Sequence, residues 1–243
     1  GIVRAILRDW DYRLTREARA LRRTRGLNTR TDVAITIRRI QAAIITTGLI
    51  RQLFGWHELR LRSLASDVSS SDGGDHQALP FAQMSDIDKV LGEIALRPHW
   101  ANIHWQRSHP LLILPPLLFG TSIAAAGLAM ALLLSPFGWA AVIGGLFIAL
   151  MGSLAERRHF HAVDGAFLLI RSGLLRPSTT IIPASAIQSA DIRDNFVYRR
   201  FGLATLAFGV PGISSFADDK IPAIPLGKAI ILRDKFTIRN PSL

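Results

Sequence analysis

The chain alternates between short apolar runs and clusters of Gly, Pro, Ser and Asn, with one long uncharged stretch in the middle. FLLIRSGLL (167–175) runs into a Ser-Gly turn, TTIIP (179–183) is β-branched and stops at Pro183, AIQSADI (186–192) alternates, and FGLATLAFGV (201–210) is again apolar. Strands this short, bounded by turn residues, predict a small antiparallel sheet or half-barrel. Two helical stripes stand apart from them. SDIDKVLGEIAL (85–96) puts Ile87, Val90, Leu91 and Ile94 on one face, with Ser85 and Asp88 spaced as a capping box. LGKAIILRDKF (226–236) predicts a second, shorter helix.

The middle has a different texture. From Ser108 to Ala155 there is no Asp, Glu, Lys or Arg. A helix needs about 20 apolar residues to cross a bilayer core. LLILPPLLFGTSIAAAGLAMALLL (111–134) satisfies that, and Trp139–Ala155 makes a shorter second span. SPFG (135–138) is a turn between them. The stretch is internal and too long for a cleaved signal peptide. Arg97 and Arg107 precede the hairpin, and Arg157 and Arg158 follow it. Positive residues near span ends favour the cytoplasm, so both flanking regions are expected there, with only the SPFG turn reaching the other side. Gly144, Gly145 and Ala124–Ala126 permit close helix packing and association between hairpins.

The flanking regions repeat each other. At a fixed offset of 147, residues 21–59 align with 168–206 without a gap, and eleven of those 39 positions are identical. Among the identities are Gly26/Gly173, Ile40/Ile187, Gln41/Gln188, Phe54/Phe201, Gly55/Gly202 and Leu59/Leu206. Internal duplication explains them. Glycines are expected at turns, Ile and Leu in the core, and Phe-Gly at a bend into a strand. Gln41 and Gln188 interrupt an apolar alternation, and both a structural and a ligand-contacting role remain open for them. The same period predicts a further hairpin ending near residue 8, and IVRAILRDW (2–10) has the look of its exit. Gly1 is no natural initiator, so the chain is read as a piece of a longer protein.

Charge sharpens the picture without deciding it. The net charge is +11, carried by 25 Arg and 4 Lys. The surplus is +9 over residues 1–64 and +5 over 156–243, with −3 between them. Such basicity fits an anionic membrane surface or nucleic acid. The aromatic interleaving of a nucleic-acid stacking platform is missing, so nucleic acid is set aside. The candidate contacts for lipid or partner are Arg19, Arg22, Arg23, Arg25, Arg38 and Arg39 in the first copy, and Arg193, Arg199 and Arg200 in the second. Simple positive-inside bias and solubility account for them equally well.

Chemistry is harder to find. There is no cysteine. His99, His104 and His109 recur every five residues, which would spread them around a helix, while His159 and His161 share a strand face with only Asp164 as a nearby third ligand. The polar loop SDVSSSDGGDHQ (66–77) holds Asp67, Asp72, Asp75 and His76, but a Ser/Gly-rich insert of this kind ordinarily binds nothing. No metal or cofactor is assigned. P-loop, dinucleotide, nucleophile-elbow and zinc-protease motifs are all lacking, so the chain is read as non-enzymatic. Trp100 and Trp105 are expected as an aromatic anchor before the first span.

A hairpin followed by Gly173–Leu174, Pro183, Ile187–Gln188 and Arg200–Phe201–Gly202–Leu203–Ala204–Thr205–Leu206 resembles the bacterial membrane-flanked PH-like family. The first copy keeps Gly26–Leu27, Ile40–Gln41 and Phe54–Gly55 but has Trp56-His57-Glu58 where the second has Leu-Ala-Thr. The resemblance covers nearly the whole chain. It implies an α+β membrane protein in which a transmembrane helical hairpin (111–155) is flanked by two PH-like antiparallel β-barrel domains, 11–97 and 156–243, each closed by a helix. Segment 1–10 would be juxtamembrane and 98–110 an interfacial linker. It implies no catalysis. The expected function is a binding or scaffolding module, its partners the bilayer, anionic headgroups, another membrane protein or a second copy of itself. The rival expectation is a membrane component of an export or envelope-stress and antimicrobial-resistance system. With only Thr121, Ser122 and Ser153 polar inside the spans, an ion-coupled pathway is disfavoured.

Overall fold

A computed structural model of the chain describes residues 12–26, 31–63, 75–210 and 219–237, without the side chains of Arg25, Thr31, Asp75 and His76. The expectations for segment 1–10 and for Asp67 and Asp72 in the polar loop fall outside these residues. The first repeat forms β1 (Arg13–Glu17), β2 (Ala20–Arg25), β3 (Thr31–Thr36), β4 (Ile40–Thr46), α1 (Leu49–Leu53), β5 (His57–Ser63), β6 (Asp75–Ala82) and α2 (Met84–Glu93). A two-residue strand, β7 (Gln106–Arg107), leads into α3 (Leu114–Leu133) and α4 (Gly138–Glu156). The second repeat forms β8 (Phe160–Asp164), β9 (Phe167–Ser172), β10 (Ser178–Pro183), β11 (Ser189–Arg193), α5 (Phe196–Arg200), β12 (Leu203–Gly209), β13 (Lys220–Pro225) and α6 (Leu226–Thr237). The elements from β1 through α1 recur as β8 through α5 at the offset of 147 to within two residues, and the α1 and α5 bounds match it residue for residue.

Each repeat folds as two three-stranded antiparallel meanders, but neither pair closes into a barrel. The meander β1-β2-β3 stands alone, as does β11-β12-β13, while the remaining six strands join β7 in one sheet of order β6-β5-β4-β10-β9-β8-β7. The barrel expectation is therefore corrected. The edge of β4 that would complete a closed sheet in its own repeat is taken by β10 of the other, antiparallel, with Thr46 opposite Ser178 and Ala43 opposite Ile181. A further bond from the Thr47 N–H to the Pro177 carbonyl, 3.0 Å, extends this joint.

The joint explains why the central strands read as unbroken apolar runs. Alternate residues of a strand point to opposite faces, and here both faces are covered. Ala43, Ile45, Leu59, Leu61, Leu169 and Ile181 pack with Leu21 and Ile35 of the first meander and with Ile87 and Leu91 of α2. Their neighbours Ala42, Leu168, Ile170 and Ile182 pack the other way, with Leu206, Phe208 and Ile221 of the last meander and Phe236 of α6. The body thus has three layers, with the shared sheet in the middle.

Local chemistry departs from expectation in three places. Helix α2 is preceded by Gln83, which makes no side-chain cap, and Ser85 lies inside the helix, so there is no capping box. Residues 98–110 are not helical apart from short 3-10 turns, so the three histidines do not wind around a helix. Trp100 and Trp105 pack against the first core, the Trp100 indole N–H bonding to Asp88 at 2.9 Å, and neither serves as an exposed anchor.

Helices α3 and α4 form the hairpin and are long and apolar enough to cross a membrane, with only 17% of each one's most apolar window buried. They meet along small residues. A Cβ on Gly120 would lie 2.4 Å from the Ala149 nitrogen, and one on Gly145 2.5 Å from the Ala124 nitrogen. Gly120/Gly127 and Gly138/Gly145/Gly152 recur every seven residues, the spacing of a seam between two helices. Gly145 and Ala124 are thus used inside the hairpin, while Gly144 faces open space and Ala125 and Ala126 are exposed.

Ile181 closes the joint opposite Ala43 and is fully buried. Ile181→Ala is expected to cost about 2–5 kcal/mol. Because the sheet is shared, α2 and α6 should lose amide-exchange protection in one step in detergent micelles, not in two separate transitions.

Candidate functional site: the hairpin end of the shared sheet

The register of the seven-stranded sheet defines one of its ends. Arg107 and Phe160, which flank the hairpin, pair there. Phe160 lies opposite Arg171, Ser172 opposite Ser178, Ser178 opposite Thr46, and Thr46 opposite Glu58. His57, one residue before Glu58, pairs with Ala82. Every connection at this end therefore lies on the side from which the hairpin leaves. These are the β9–β10 turn and the β4–β5 corner that contains α1.

The hairpin base is tied to this end by backbone. The Ser108 N–H bonds to the His159 carbonyl at 3.2 Å, and the His109 N–H to the Ala223 carbonyl at 2.8 Å. The Arg107 guanidinium donates to the Arg157 carbonyl at 3.2 Å and lies 5.4 Å from the Phe160 ring. Helix α5 packs onto the base through Tyr198, which clusters with Leu203, Ala223, Leu111 and Leu112. Asn195 caps it, accepting from the Tyr198 N–H at 2.7 Å. Burial, with Glu156 adding to it, raises the Tyr198 phenol above its usual pKa.

Alongside exposed arginines, this end carries two apolar patches. In the first repeat Leu49, Ile50 (74% exposed), Leu53 (83%), Phe54, Trp56 and Phe81 stand out from α1 and its surroundings. In the second, Phe196 (85%), Val197 and Phe201 do so from α5, and Leu175 from the β9–β10 turn. The first patch is ordered by stacking. Phe54 and Trp56 rings lie 5.4 Å apart, Trp56 meets Phe81 edge-on at 6.0 Å, and the Arg51 guanidinium lies 4.4 Å above Phe81. Gly55 and Gly202 stop α1 and α5 at φ +66° and +64°, a left-handed turn that glycine adopts without strain. Phe54 and Phe201 sit just before these turns and project outward, where the sequence suggested a bend into a strand.

Beneath α1 lies a cleft of ≈ 660 Å³ between the β4–β5 corner and the β9–β10 turn, so both repeats contribute walls. Its floor is Glu58, 7% exposed, which accepts from Arg51 (2.9 Å), Arg60 (2.7 Å) and Gln77 (3.1 Å). Arg176 adds a third guanidinium to the lining. One carboxylate against three guanidiniums leaves the cleft positive, with donors drawn from both repeats. Gly173, at φ +93°, makes the turn that carries Leu175 and Arg176, and a Cβ there would lie 2.5 Å from the Arg176 carbonyl oxygen. Its counterpart Gly26 in the first repeat also has a positive φ, +111°.

The arginines singled out in the sequence are not brought together. Arg22 pairs with Asp32 and Glu17, whose hydrogen bonds raise its pKa further. Arg23 is 5% exposed and donates to the Gln77 carbonyl. Arg19, Arg38 and Arg39 are exposed at the far end of the shared sheet. Residues 37–39 precede β4, and the Ile37 N–H bonds to the Arg19 carbonyl at 3.1 Å. Arg193 lies 3.6 Å from Asp191, and Arg199 3.1 Å from Asp194. Arg199 and Arg200 lie on α5, at the hairpin base. Gln188 is exposed, while Gln41 is half-buried at a bulge between β4 and β5. Sequence reading missed Arg51, Arg60 and Arg176, although LIRQLFGW already set a guanidinium among exposed apolar residues.

The described histidines gather no metal site. No group of three or more His, Asp or Glu among the described residues is placed to hold a metal ion. His159 pairs with Glu156 at 3.1 Å. His161 is 4% exposed, and neither ring nitrogen has a hydrogen-bond partner. Burial, together with the charge of Lys228, lowers its pKa from 6.5 to about 4. Above pH 6.5 folded and unfolded chains both hold it neutral, and its full contribution is present. As pH falls toward 4 the unfolded chain takes up a proton that the folded one refuses, and about 3 kcal/mol of stability is lost. Denaturation midpoints measured from pH 7 to 4 should show this slope, and His161→Phe should flatten most of it.

The family model described as Bacterial PH domain matches residues 1–97 and, a second time, 111–237. No curated protein and no solved structure matches the chain. The two matches fall on the two repeats that the offset of 147 and the paired meanders define, so the chain carries two PH-like domains and belongs to the bacterial PH domain family.

Proposed function

We propose that this chain is an integral membrane protein whose two PH-like units, 11–97 and 156–243, act as one binding module held flat against the anionic cytoplasmic face of the bilayer. The carrying observation is that the hairpin and the exposed apolar corner around α1 leave the shared sheet from the same end. Pro110–Leu133 and Gly138–Glu156 are 24 and 19 residues long. At 1.5 Å per residue they reach about 36 and 28 Å, against about 30 Å of hydrocarbon. Helix α5 touches the hairpin base, which puts Phe196 and Phe201 at headgroup depth. Strand β4 lies four strands from β7, about 19 Å along the sheet, so the α1 corner meets the same surface beside the spans.

In this placement Leu53, Ile50 and Trp56 dip into the interface, and the cleft of Arg51, Arg60 and Arg176 opens toward headgroup phosphates. Arginine presents a planar fork that suits a phosphate oxygen pair. Arg157, Arg158, Arg199 and Arg200 surround the hairpin base and add attraction to an anionic leaflet. Arg19, Arg38 and Arg39, at the far end of the sheet, are left for a protein partner. Binding without transport is favoured by the spans themselves. The hydroxyls of Thr121 and Ser122 bond back to Leu117 and Phe119 of their own helix at 2.8 Å, which leaves Ser153 as the one other hydroxyl within the spans.

The chain's lack of cysteine makes the test clean. Leu53→Cys in nanodiscs should react at least tenfold more slowly with a water-soluble maleimide than Arg38→Cys at the far end of the sheet, and in sealed vesicles Ser135→Cys should react only from the opposite face. With Arg51, Arg60 and Arg176 all changed to Ser, the protection of the thiol introduced at position 53 should no longer increase when anionic lipid is added to a neutral bilayer. Equal labelling of the Leu53→Cys and Arg38→Cys chains in every lipid would end the proposal.

A further inference from the structure

The joint between the repeats uses one edge of each, and the duplication leaves the two complementary edges open. At the joint, β4 pairs with β10. The counterpart of β4 in the second repeat is β11, and the counterpart of β10 in the first is β3. Among the described residues β11 and β3 are both outermost in their sheets. Ala43 and Ile45 on the paired strand are 0% and 6% exposed. Their identical counterparts Ala190 and Ile192 are only half-buried, because no described strand lies beyond β11. The second repeat thus keeps residues of the joint without its partner.

We propose that β3 of one chain pairs antiparallel with β11 of a second copy of this chain, which continues the internal joint head to tail. Moving the observed register by 147 residues sets Thr31 opposite Arg193, Asp32 opposite Ile192, Val33 opposite Asp191 and Ala34 opposite Ala190. No two like charges face each other in that register. Edge charges commonly block unwanted pairing. Here each is offset within its own sheet, Asp32 by Arg22 at 2.9 Å and Arg193 by Asp191 at 3.6 Å.

Direction also agrees. Strand β11 runs into α5 at the hairpin base, as β4 runs into α1 at the hairpin end. Strand β10 starts at that end, and β3 is its counterpart. Two copies standing side by side with hairpins parallel therefore present β11 and β3 in the orientation that β4 and β10 already adopt. The contact is heterologous, so it closes into a ring or extends as a row, and it does not make an isolated two-fold dimer. Only the common orientation of the copies rests on the membrane reading above; the pairing itself can form in detergent.

Full-length Val33→Cys and Asp191→Cys chains, purified separately, would be mixed in detergent micelles and treated with copper phenanthroline or a short bismaleimide. The mixture is expected to give a cross-linked dimer at least tenfold above a Glu17→Cys plus Asp191→Cys control, which uses the opposite edge of the first meander. A chain carrying both substitutions should give a ladder of higher species. Mass photometry of the unmodified chain should show more than one chain per particle, declining on dilution. Single chains at every concentration, cross-linking no stronger than the control, or a dominant Val33→Cys self-link would each overturn the proposal. Failure in micelles alongside slow labelling of the Leu53→Cys chain in nanodiscs would remove the assembly and leave the membrane docking standing.

Discussion

The antiparallel joint of β4 and β10 is the constraint from which the remaining architecture follows. A strand whose residues are apolar on both faces needs cover on both sides, and a lone three-stranded meander has only one packed face to offer. By lending β4–β6 and β8–β10 to a common sheet, the two repeats supply that cover to each other. Leu169 and Ile181 turn to one core, Leu168 and Ile182 to the other. Removing the joint would expose two rows of isoleucine, leucine and alanine at once. The repeats are therefore two in sequence and one in packing.

The same joint sets what the hairpin end can do. Because antiparallel pairing carries direction from strand to strand without a break, the position of Arg107 and Phe160 fixes that of α1, which follows a strand four places away across the sheet and belongs to the other repeat. Exposed Leu53 or Phe54 alone would mean little, since scattered apolar residues are common on protein surfaces. Their meaning comes from being contiguous with Trp56 and with Phe81, which lies under the Arg51 guanidinium, and level with the base of two helices that bury almost nothing except each other. The cleft under α1 has the same dependence. Arg51 and Arg60 come from the first repeat and Arg176 from the second, so the site exists only because the sheet is shared.

Much of this was legible in the sequence, and what was not has physical reasons. The uncharged stretch, the offset of 147 and the helices at 85–96 and 226–236 all emerge because each is a local or strictly periodic signal. Which strand pairs with which is not local. IQAAII and FLLI read as buried strands in either a closed barrel or a shared sheet, and only the partner distinguishes the two. The arginine cluster RALRRTR was misleading for a related reason. Strand alternation sent Arg23 inward to the Gln77 carbonyl and left Arg22 between Asp32 and Glu17, partners 10 and 5 residues away that a charge count cannot place. The short helices were missed because five residues carry too little periodicity. Asn195 before FVYRR was the available sign, as its side chain caps the helix. Trp100 and Trp105 were misplaced because aromatic residues next to a span suggest an anchor, while here the chain folds back and packs them against the first core.

Identical residues in the two repeats do the same work in different surroundings, and this separates fold from function. Gly55 and Gly202 make the same turn, and Phe54 and Phe201 are both exposed, so the sequence shared there maintains an outward-facing corner and not a core. What surrounds the corner differs. In the second repeat Tyr198 and Leu203 close over Leu111 and Leu112, and the apolar surface is partly taken up by the hairpin base. In the first, Trp56-His57-Glu58 replaces Leu-Ala-Thr: Trp56 extends the exposed surface, and Glu58 organises three donors beneath it. A corner that served only to seat a hairpin would not need a buried carboxylate or a stacked guanidinium. The first repeat has both, in a family whose described unit is a PH domain, and has them at the sheet end that the hairpin shares. The residues around the first corner differ from those of the second where recognition of an anionic, apolar-backed surface would act, while the turns and strands that hold the position are kept in register.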